Sequence, residues 1–435
     1  MKILEELINR NAERREPILV DRSGSLFFSD ISNAVASQAS AFLGIRAGEV
    51  VALIGDFNGP TISAMLRLLD QNVIVMPLTA GTHIDHEYFF EAGCVDWVIS
   101  GGAITKRLRP SSSGSLLIEE LRRRQHPGII FFSSGTTGRP KAILHDFYNF
   151  LARYQVPRPP LCALIFLLFD HIGGINTLLH ILFNGGVVVV PLDRTPTSIA
   201  DDLIKHAVEL FPATPTFLRM MMLEGVFETT QFPNLKTVTY GTERMDQSTL
   251  DRLCSSLPRV DFRQTYGLSE LGIFQVKSKA RDSLWMKIGG HGVETQIQHG
   301  VLYIRSENAM VGYLNAPSPF VDGWYDTGDI VESDGEFIQV VGRAKEVLNI
   351  GGLKVLPSEI ERIALLHPDV LRAKVHGVAN PISGQHIEIT CQNRPGTTLD
   401  KQNLISHFRM HLQKKLCPHR VILGDVAISH RFKQK

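Results

Sequence analysis

Apolar and polar positions alternate in blocks along the first 130 residues. Leu26-Phe27-Phe28 reads as a short strand, and Ser29-Asp30 reads as the cap of a helix running to Gly44, with Ile31, Val35 and Phe42 turned inward. Val50-Val51-Ala52-Leu53-Ile54-Gly55 is a buried strand. Gly59-Pro60 opens a helix through Met65, Leu66 and Leu68, and residues 73–78 form the next strand. Strand, helix and strand in succession predict parallel α/β layers. The rhythm continues with a buried strand at 128–132, a helix from Phe147 to Tyr154 and a nine-residue apolar run at 161–169. That run reads as a buried strand. Gly185-Gly186 closes a further helix before a strand at 187–190, and residues 235–243 read as strand and turn. From Glu346 the blocks shorten. A helix at 358–366, begun by Pro357 and Glu359, and strands near Ala373-Lys374-Val375 and at 387–390 predict a small α+β unit.

The chain has 435 residues, enough for two or three domains with a sizeable core. Lys and Arg total 45 against 44 Asp and Glu, a net charge of +1, which gives no footing for a nucleic acid or an anionic membrane. The five cysteines (Cys94, Cys162, Cys254, Cys391 and Cys417) are scattered and odd in number, without metal-ligand spacing, and read as buried thiols in a reducing compartment. The N-terminal stretch carries Glu5 and Glu6 inside its apolar pattern, so it reads as an amphipathic helix and not as a signal peptide. The longest apolar run, 161–169, is too short to span a bilayer. A cytoplasmic protein is expected.

Candidate chemistry starts after the 128–132 strand, in Ser133-Ser134-Gly135-Thr136-Thr137-Gly138-Arg139-Pro140-Lys141. Hydroxyls, backbone N–H groups and glycines that permit close approach suit a polyphosphate, and Lys141 adds a point charge. A nucleotide P-loop needs four residues between its glycines and Lys-Ser/Thr directly after the second. Here two residues separate Gly135 from Gly138, and Ala142 follows Lys141, so that reading is disfavoured. The 161–169 run delivers Asp170-His171-Ile172-Gly173-Gly174 at the strand edge where open α/β sheets bind ligands. Taken by themselves, Asp170 suits a helix cap and His171 a hydrogen-bonded core histidine.

The 133–141 loop resembles the signature of the adenylate-forming, AMP-binding enzymes, which include acyl-CoA synthetases, aryl and fatty acid ligases and adenylation domains. Ala142 stands where that signature ends in glycine. Other motifs follow in the family's order. Asp170 and His171 fall on an element that lines the acid site, and Gly241-Thr242-Glu243 resembles the stretch lying along the adenine. Tyr266-Gly267-Leu268-Ser269-Glu270 is similar to the family's Y-G-x-T-E. Thr327-Gly328-Asp329 resembles its ribose clamp, and Arg343 its ribose and phosphate arginine. Lys345 sits at the hinge position, and Gly351-Gly352 in the loop that lines the thiol tunnel. Lys433 falls on the adenylation lysine, although the motif's Pro and Gly are missing there and Lys435 is the fallback.

The resemblance implies a large N-terminal domain of packed α/β subdomains over 1–342, a hinge at 343–345 and a small mobile α+β lid over 346–435. It implies that Ser133, Ser134, Gly135, Thr136, Thr137, Gly138 and Lys141 hold phosphates, while Gly241, Thr242, Glu243, Tyr266, Gly267, Asp329 and Arg343 bind the rest of the nucleotide. Glu270 would hold Mg²⁺, Ser269 the α-phosphate and Lys433 the reacting anions. Asp170, His171, Gly174, Tyr240, Gly241, Thr265 and Ile273 would line the acid pocket. The activity implied is that of an acid–CoA ligase, which joins a small carboxylic acid to AMP from ATP and then passes it to a thiol, CoA. The alternatives are a stand-alone adenylation enzyme that loads an aryl, alkyl or amino acid onto the phosphopantetheine of an acyl or peptidyl carrier protein, and a non-catalytic nucleotide-binding relative.

Overall fold

The computed structural model describes residues 3–38, 40–107, 115–133, 139–380, 384–394 and 396–429. The chain is mixed α/β. Among the described residues, two sheets of seven strands each have parallel strands at their centre, as the early strand–helix rhythm predicts. In the first, Val50–Ile54 lies between Ile74–Leu78 and Trp97–Ser100. Gly128–Phe132 extends the sheet, and Ala142–Asp146 returns antiparallel beside it. In the second, Cys162–Leu164, Leu210–Ala213, Thr237–Tyr240 and Asp261–Gln264 run parallel. Helices Gly59–Asp70 and Ile172–Phe183 lie between the two sheets. One apolar cluster takes in Val51, Val75 and Phe131 from the first sheet, Leu66 and Leu179 from the helices, and Ala163 and Val188 from the second. Helices covering both faces explain why these strands read as continuous apolar runs.

A third, antiparallel sheet carries Trp324–Asp334 beside Phe337–Arg343. Further along the chain, Leu348–Ile350, Leu353–Val355, Val370–Asn380, Gly384–Asn393 and Arg420–Leu423 form a separate sheet, over which helices Pro357–Leu365 and Lys401–His411 pack around their own apolar cluster. The expected α+β unit at this end is present. No helix among the described residues is long and apolar enough to cross a membrane.

Four local expectations are corrected. The first helix after the amphipathic N-terminal one spans Phe28–Ser37, so Phe28 belongs to it and not to the preceding strand, Gly24–Leu26. Asp30 is not its cap but its third residue. There its carboxylate accepts from the backbone N–H of Phe27 at 2.8 Å and neutralises a donor the helix start leaves free. The 161–169 run is a strand only over Cys162–Leu164, because its parallel neighbour Val187–Val189 is itself only three residues long. Ile165 N–H still donates to the Val189 carbonyl at 2.8 Å, while Phe166 and Phe169 are buried beyond the ladder. The helix expected from Phe147 to Tyr154 tightens to a 3₁₀ turn over its last three residues.

Candidate active site

The feet of the 133–141 loop are fixed by the two strands it joins. Phe132 pairs with Ala142 in register, and the next residues bond reciprocally: Ser133 N–H donates to the Lys141 carbonyl at 3.1 Å, and Lys141 N–H to Ser133 Oγ at 3.0 Å. Asn315 braces the far foot. Its Oδ1 accepts from Ala142 N–H at 2.8 Å, while its Nδ2 and the Tyr88 hydroxyl both donate to the Pro140 carbonyl. Ser134, Gly135, Thr136, Thr137 and Gly138 lie outside the described residues, as do Lys433 and Lys435.

Lys141 leads to Glu270 through one residue. Its Nζ stands 4.6 Å from the centroid of the Tyr313 ring, and the Tyr313 hydroxyl donates to Glu270 Oε1 at 2.7 Å. Both Tyr313 and Glu270 are buried. Burial, and then the neighbouring carboxylate, raise the hydroxyl pKa of Tyr313 and also that of Tyr325, which lies beside the same carboxylate. Both hydroxyls therefore stay protonated as donors, and Glu270 is held in one orientation.

Gly267-Leu268 and Gly272-Ile273 form a tight antiparallel hairpin around Ser269-Glu270. Tyr266 enters it with its ring stacked on Phe274, 6.2 Å between centroids at 19°. Its hydroxyl donates to Asp329 Oδ2 at 2.6 Å, and burial followed by that carboxylate raises its pKa well above the usual phenol value. Asp329, itself buried, pairs across the sheet with Arg343, whose Nε donates to Oδ1 at 3.1 Å. Burial works against the guanidinium charge, but Asp329, Glu346 and Tyr266 together outweigh it and raise the Arg343 pKa. Five residues, Tyr266 to Glu270, thus connect the Asp329–Arg343 pair to the Glu270–Tyr313–Lys141 chain.

The hairpin is braced from behind by His145. The fully buried ring places Nε2 2.6 Å from the Ser269 carbonyl, which can only accept, so Nε2 carries the proton. Burial depresses the pKa of His145 to about 4, and its neutral form is the folded one. The unfolded chain takes up this proton near pH 6.5, whereas the folded chain resists until about 4. Stability is therefore complete above pH 6.5 and declines as the pH falls to 4, by on the order of 3 kcal/mol at this residue. Denaturant midpoints measured between pH 7 and 4 should fall more steeply for the wild type than for His145→Gln, whose amide keeps the bond to Ser269.

Two parallel strands supply the next part of the site. Tyr240 and Gln264 are register partners, so the residues after them, Gly241 and Thr265, emerge side by side. A Cβ on Gly241 would lie 2.1 Å from Thr265 Oγ1, so only glycine fits. Thr242 holds a left-handed backbone (φ 69°). Glu243 accepts from the N–H and hydroxyl of Thr216, at 3.2 and 2.7 Å, in the first turn of helix Pro215–Leu223. His171 caps helix Ile172–Phe183, its Nδ1 accepting from Gly173 N–H at 3.0 Å. The cap falls on His171 and not on Asp170, which is buried before it. Gly174 packs so closely that a Cβ would come within 2.3 Å of the Leu168 carbonyl. This helix packs against the Gly272-Ile273 strand, bringing His171, Gly174 and Ile273 into one neighbourhood.

Other expected residues are not gathered here. Tyr240 turns its ring into the core among Met245, Leu250 and Leu253, so its side chain does not join Gly241 and Thr265. Lys345 is exposed in a 3₁₀ turn, Ala344–Glu346. Gly351 and Gly352 form the exposed tip of a hairpin, with φ of 57° and 85°. A cleft of about 420 Å³, walled by Arg219, Arg252 and Arg394 with Leu365 and Pro368, shares no residue with the site.

The family model described as AMP-binding enzyme matches residues 8–314. The chain belongs to the AMP-binding enzyme family. This AMP-binding enzyme is 24% identical to an oxalate–CoA ligase of Arabidopsis thaliana, over 91% of the chain and 88% of the relative. It is 26% identical to a fatty acid–[acyl-carrier-protein] ligase, MmaC, of Mycobacterium marinum. That match takes in 68% of the chain and 64% of the relative, a little under two thirds of its length. Among solved structures, the anthranilate CoA ligase AuaEII in complex with anthranoyl-AMP superposes with a TM-score of 0.82 at 17% identity, covering 99% of the chain and 95% of AuaEII.

The structure gives roles to residues that the sequence left without one. Tyr313 and Asn315 stand in the segment Met310-Val311-Gly312-Tyr313-Leu314-Asn315, which resembles the family's G-Y segment in sequence but carries no assigned role until Gly312 and Tyr313 pair with Leu144 and Ile143. Tyr325 stands two residues before the Thr327-Gly328-Asp329 motif without an assigned role, and Tyr88 and His145 carry no local signal at all.

Proposed function

We propose that this AMP-binding enzyme activates a carboxylic acid as its acyl-adenylate at the expense of ATP and transfers the acyl group to a thiol. The observation that carries the reading is the convergence on one hairpin. Lys141 reaches Glu270 through Tyr313, and Asp329 reaches the same hairpin through Tyr266, although these residues are far apart along the chain.

Asp329 offers carboxylate lone pairs for the ribose hydroxyls, with Arg343 beside it to meet the α-phosphate. The Tyr266 ring provides a face for adenine. Lys141 and the hydroxyls of the 133–141 loop hold the β- and γ-phosphates. Ser269 and Glu270 stand between these groups, where the acid carboxylate meets the α-phosphorus. Two anions must meet there, so each fixed positive charge lowers the barrier.

Glu270 suits a magnesium ion. Mg²⁺ is commonly held by one or two carboxylates together with substrate phosphates. A buried carboxylate oriented through one oxygen by a tyrosine hydroxyl fits that demand. Among the described residues no cluster of three or more His, Cys, Asp or Glu side chains is set to hold a metal, which agrees with an ion shared with the nucleotide. Bound there, the ion would neutralise phosphate charge and polarise the α-phosphate.

In this reading residues 1–342 bind nucleotide and acid. The segment 343–345 is a hinge turning at Lys345, and 346–435 is a lid that presents Lys433 for adenylation and the Gly351–Gly352 hairpin for thiol transfer. The test is acid-dependent exchange of labelled pyrophosphate into ATP across a panel of carboxylic acids. Exchange with at least one acid is expected, and none with any acid would overturn the reading. Lys433→Ala should lower exchange by about tenfold or more while Lys435→Ala does not; the reverse result moves the assignment to Lys435. Supplying CoA, and separately a phosphopantetheinylated carrier protein, decides the acceptor by which thioester forms. The likeness to a carrier-protein ligase keeps the second acceptor in play.

A further inference from the structure

Arg153 sits in the 3₁₀ turn Ala152–Tyr154, after the strand and helix that follow the 133–141 loop. Its guanidinium reaches into the region where the helix begun at His171 meets the Gly272-Ile273 strand. Nη1 donates to the Ile273 carbonyl at 2.8 Å and lies 3.4 Å from Asn176 Oδ1, one turn into that helix. Its plane rests on Phe150, with Cζ 5.0 Å from the ring centroid. Gly272, at φ 80°, lets it approach, because a Cβ there would stand 2.5 Å from Nη2. The position is therefore built and not incidental: three elements and one obligatory glycine hold the cation.

It has no counter-charge. Nε is buried and has no hydrogen-bond partner, and no carboxylate among the described residues lies within ion-pair distance of the group. The neighbouring His145 is neutral, since burial holds its pKa near 4. The side chain is half-buried, so a carboxylate arriving beside it would pair with the guanidinium in a partly dry setting. With Nη1 taken by Ile273 and Asn176 and Nε shielded, Nη2 is the nitrogen left to donate to a carboxylate.

We propose that Arg153 receives a second carboxylate on the acid substrate, so that the enzyme activates one end of a dicarboxylic acid while the other end is held by this guanidinium. The inference rests on the acid-activation reading, because it places the second carboxylate in the pocket assigned to His171, Gly174 and Ile273. Arg153 sets specificity. The reacting carboxylate is handled elsewhere, at Ser269 and Glu270.

The experiment pairs each dicarboxylate with a monocarboxylate of equal length, such as glutarate with pentanoate and terephthalate with 4-methylbenzoate. Pyrophosphate-exchange kcat/KM and calorimetric titration of the acid alone are both read. The wild type should favour the dicarboxylate, and Arg153→Gln should reduce that preference by about 10- to 100-fold without weakening the monocarboxylate. Arg153→Lys, which keeps the charge but not the fork, should fall between, and it carries the comparison if Arg153→Gln does not fold. A wild type that prefers monocarboxylates, or a preference unmoved by both variants, overturns the proposal while leaving acid activation intact. If no acid supports exchange, titration still reads the site. Dicarboxylate binding lost in Arg153→Gln supports the role of Arg153, and no dicarboxylate binding to the wild type overturns it.

Discussion

Glu270→Gln should lower acid-dependent pyrophosphate exchange by on the order of 10²–10³-fold and leave the fold intact. The glutamine carbonyl can still accept from the Tyr313 hydroxyl, as Glu270 Oε1 does at 2.7 Å, so the buried contact survives. What is lost is the negative charge assigned to magnesium. The loss should therefore appear in kcat at saturating ATP and be partly relieved by raised magnesium, while the thermal midpoint moves little. A variant that exchanges as fast as the wild type would remove Glu270 from the chemistry and leave Tyr313 as a packing residue. Tyr313→Phe offers a control, since it deletes the brace and keeps the carboxylate.

Asp329→Ala is the second large effect. It takes away the buried acceptor of two hydrogen bonds at once, leaving the Tyr266 hydroxyl and the Arg343 guanidinium without the carboxylate that joins them. Breaking a buried charged pair by removing one partner typically costs about 3–5 kcal/mol. Half-exposure of the Arg343 side chain lets water repair part of this, so the stability loss should lie at or below the lower end. The affinity for ATP should drop by on the order of 10²-fold if the carboxylate also holds the ribose. Equilibrium binding of ATP and a denaturant titration separate the two. Full ATP affinity in a destabilised variant would assign Asp329 to architecture alone.

The parts of this site legible in the sequence are those whose chemistry is packed into consecutive residues. The 133–141 loop, residues 266–270 and residues 327–329 each announce themselves because one backbone turn carries several functional groups. Contacts made across the fold leave no such trace. Tyr313 reaches Glu270 over 43 residues, and Arg153 reaches Ile273 over 120. Nothing in either local pattern marks the partner. Side-chain direction is equally silent: Tyr240 ends a strand at the right edge, but strand alternation turns its ring into the core. The same holds for the 161–169 run, where apolar content reports burial and only the short partner strand limits the ladder to three residues. The α/β layers were readable because strands covered by helices on both faces must be apolar throughout.

Ser133 and Lys141 clasp one another at the base of their loop, and Asn315 and Tyr88 pin its outgoing limb from a different part of the chain. Such a hem separates anchorage from span. Residues inserted into or trimmed from the interval between the two anchors should leave the flanking ladder in step, so the length of this stretch can change without re-registering the sheet beneath it.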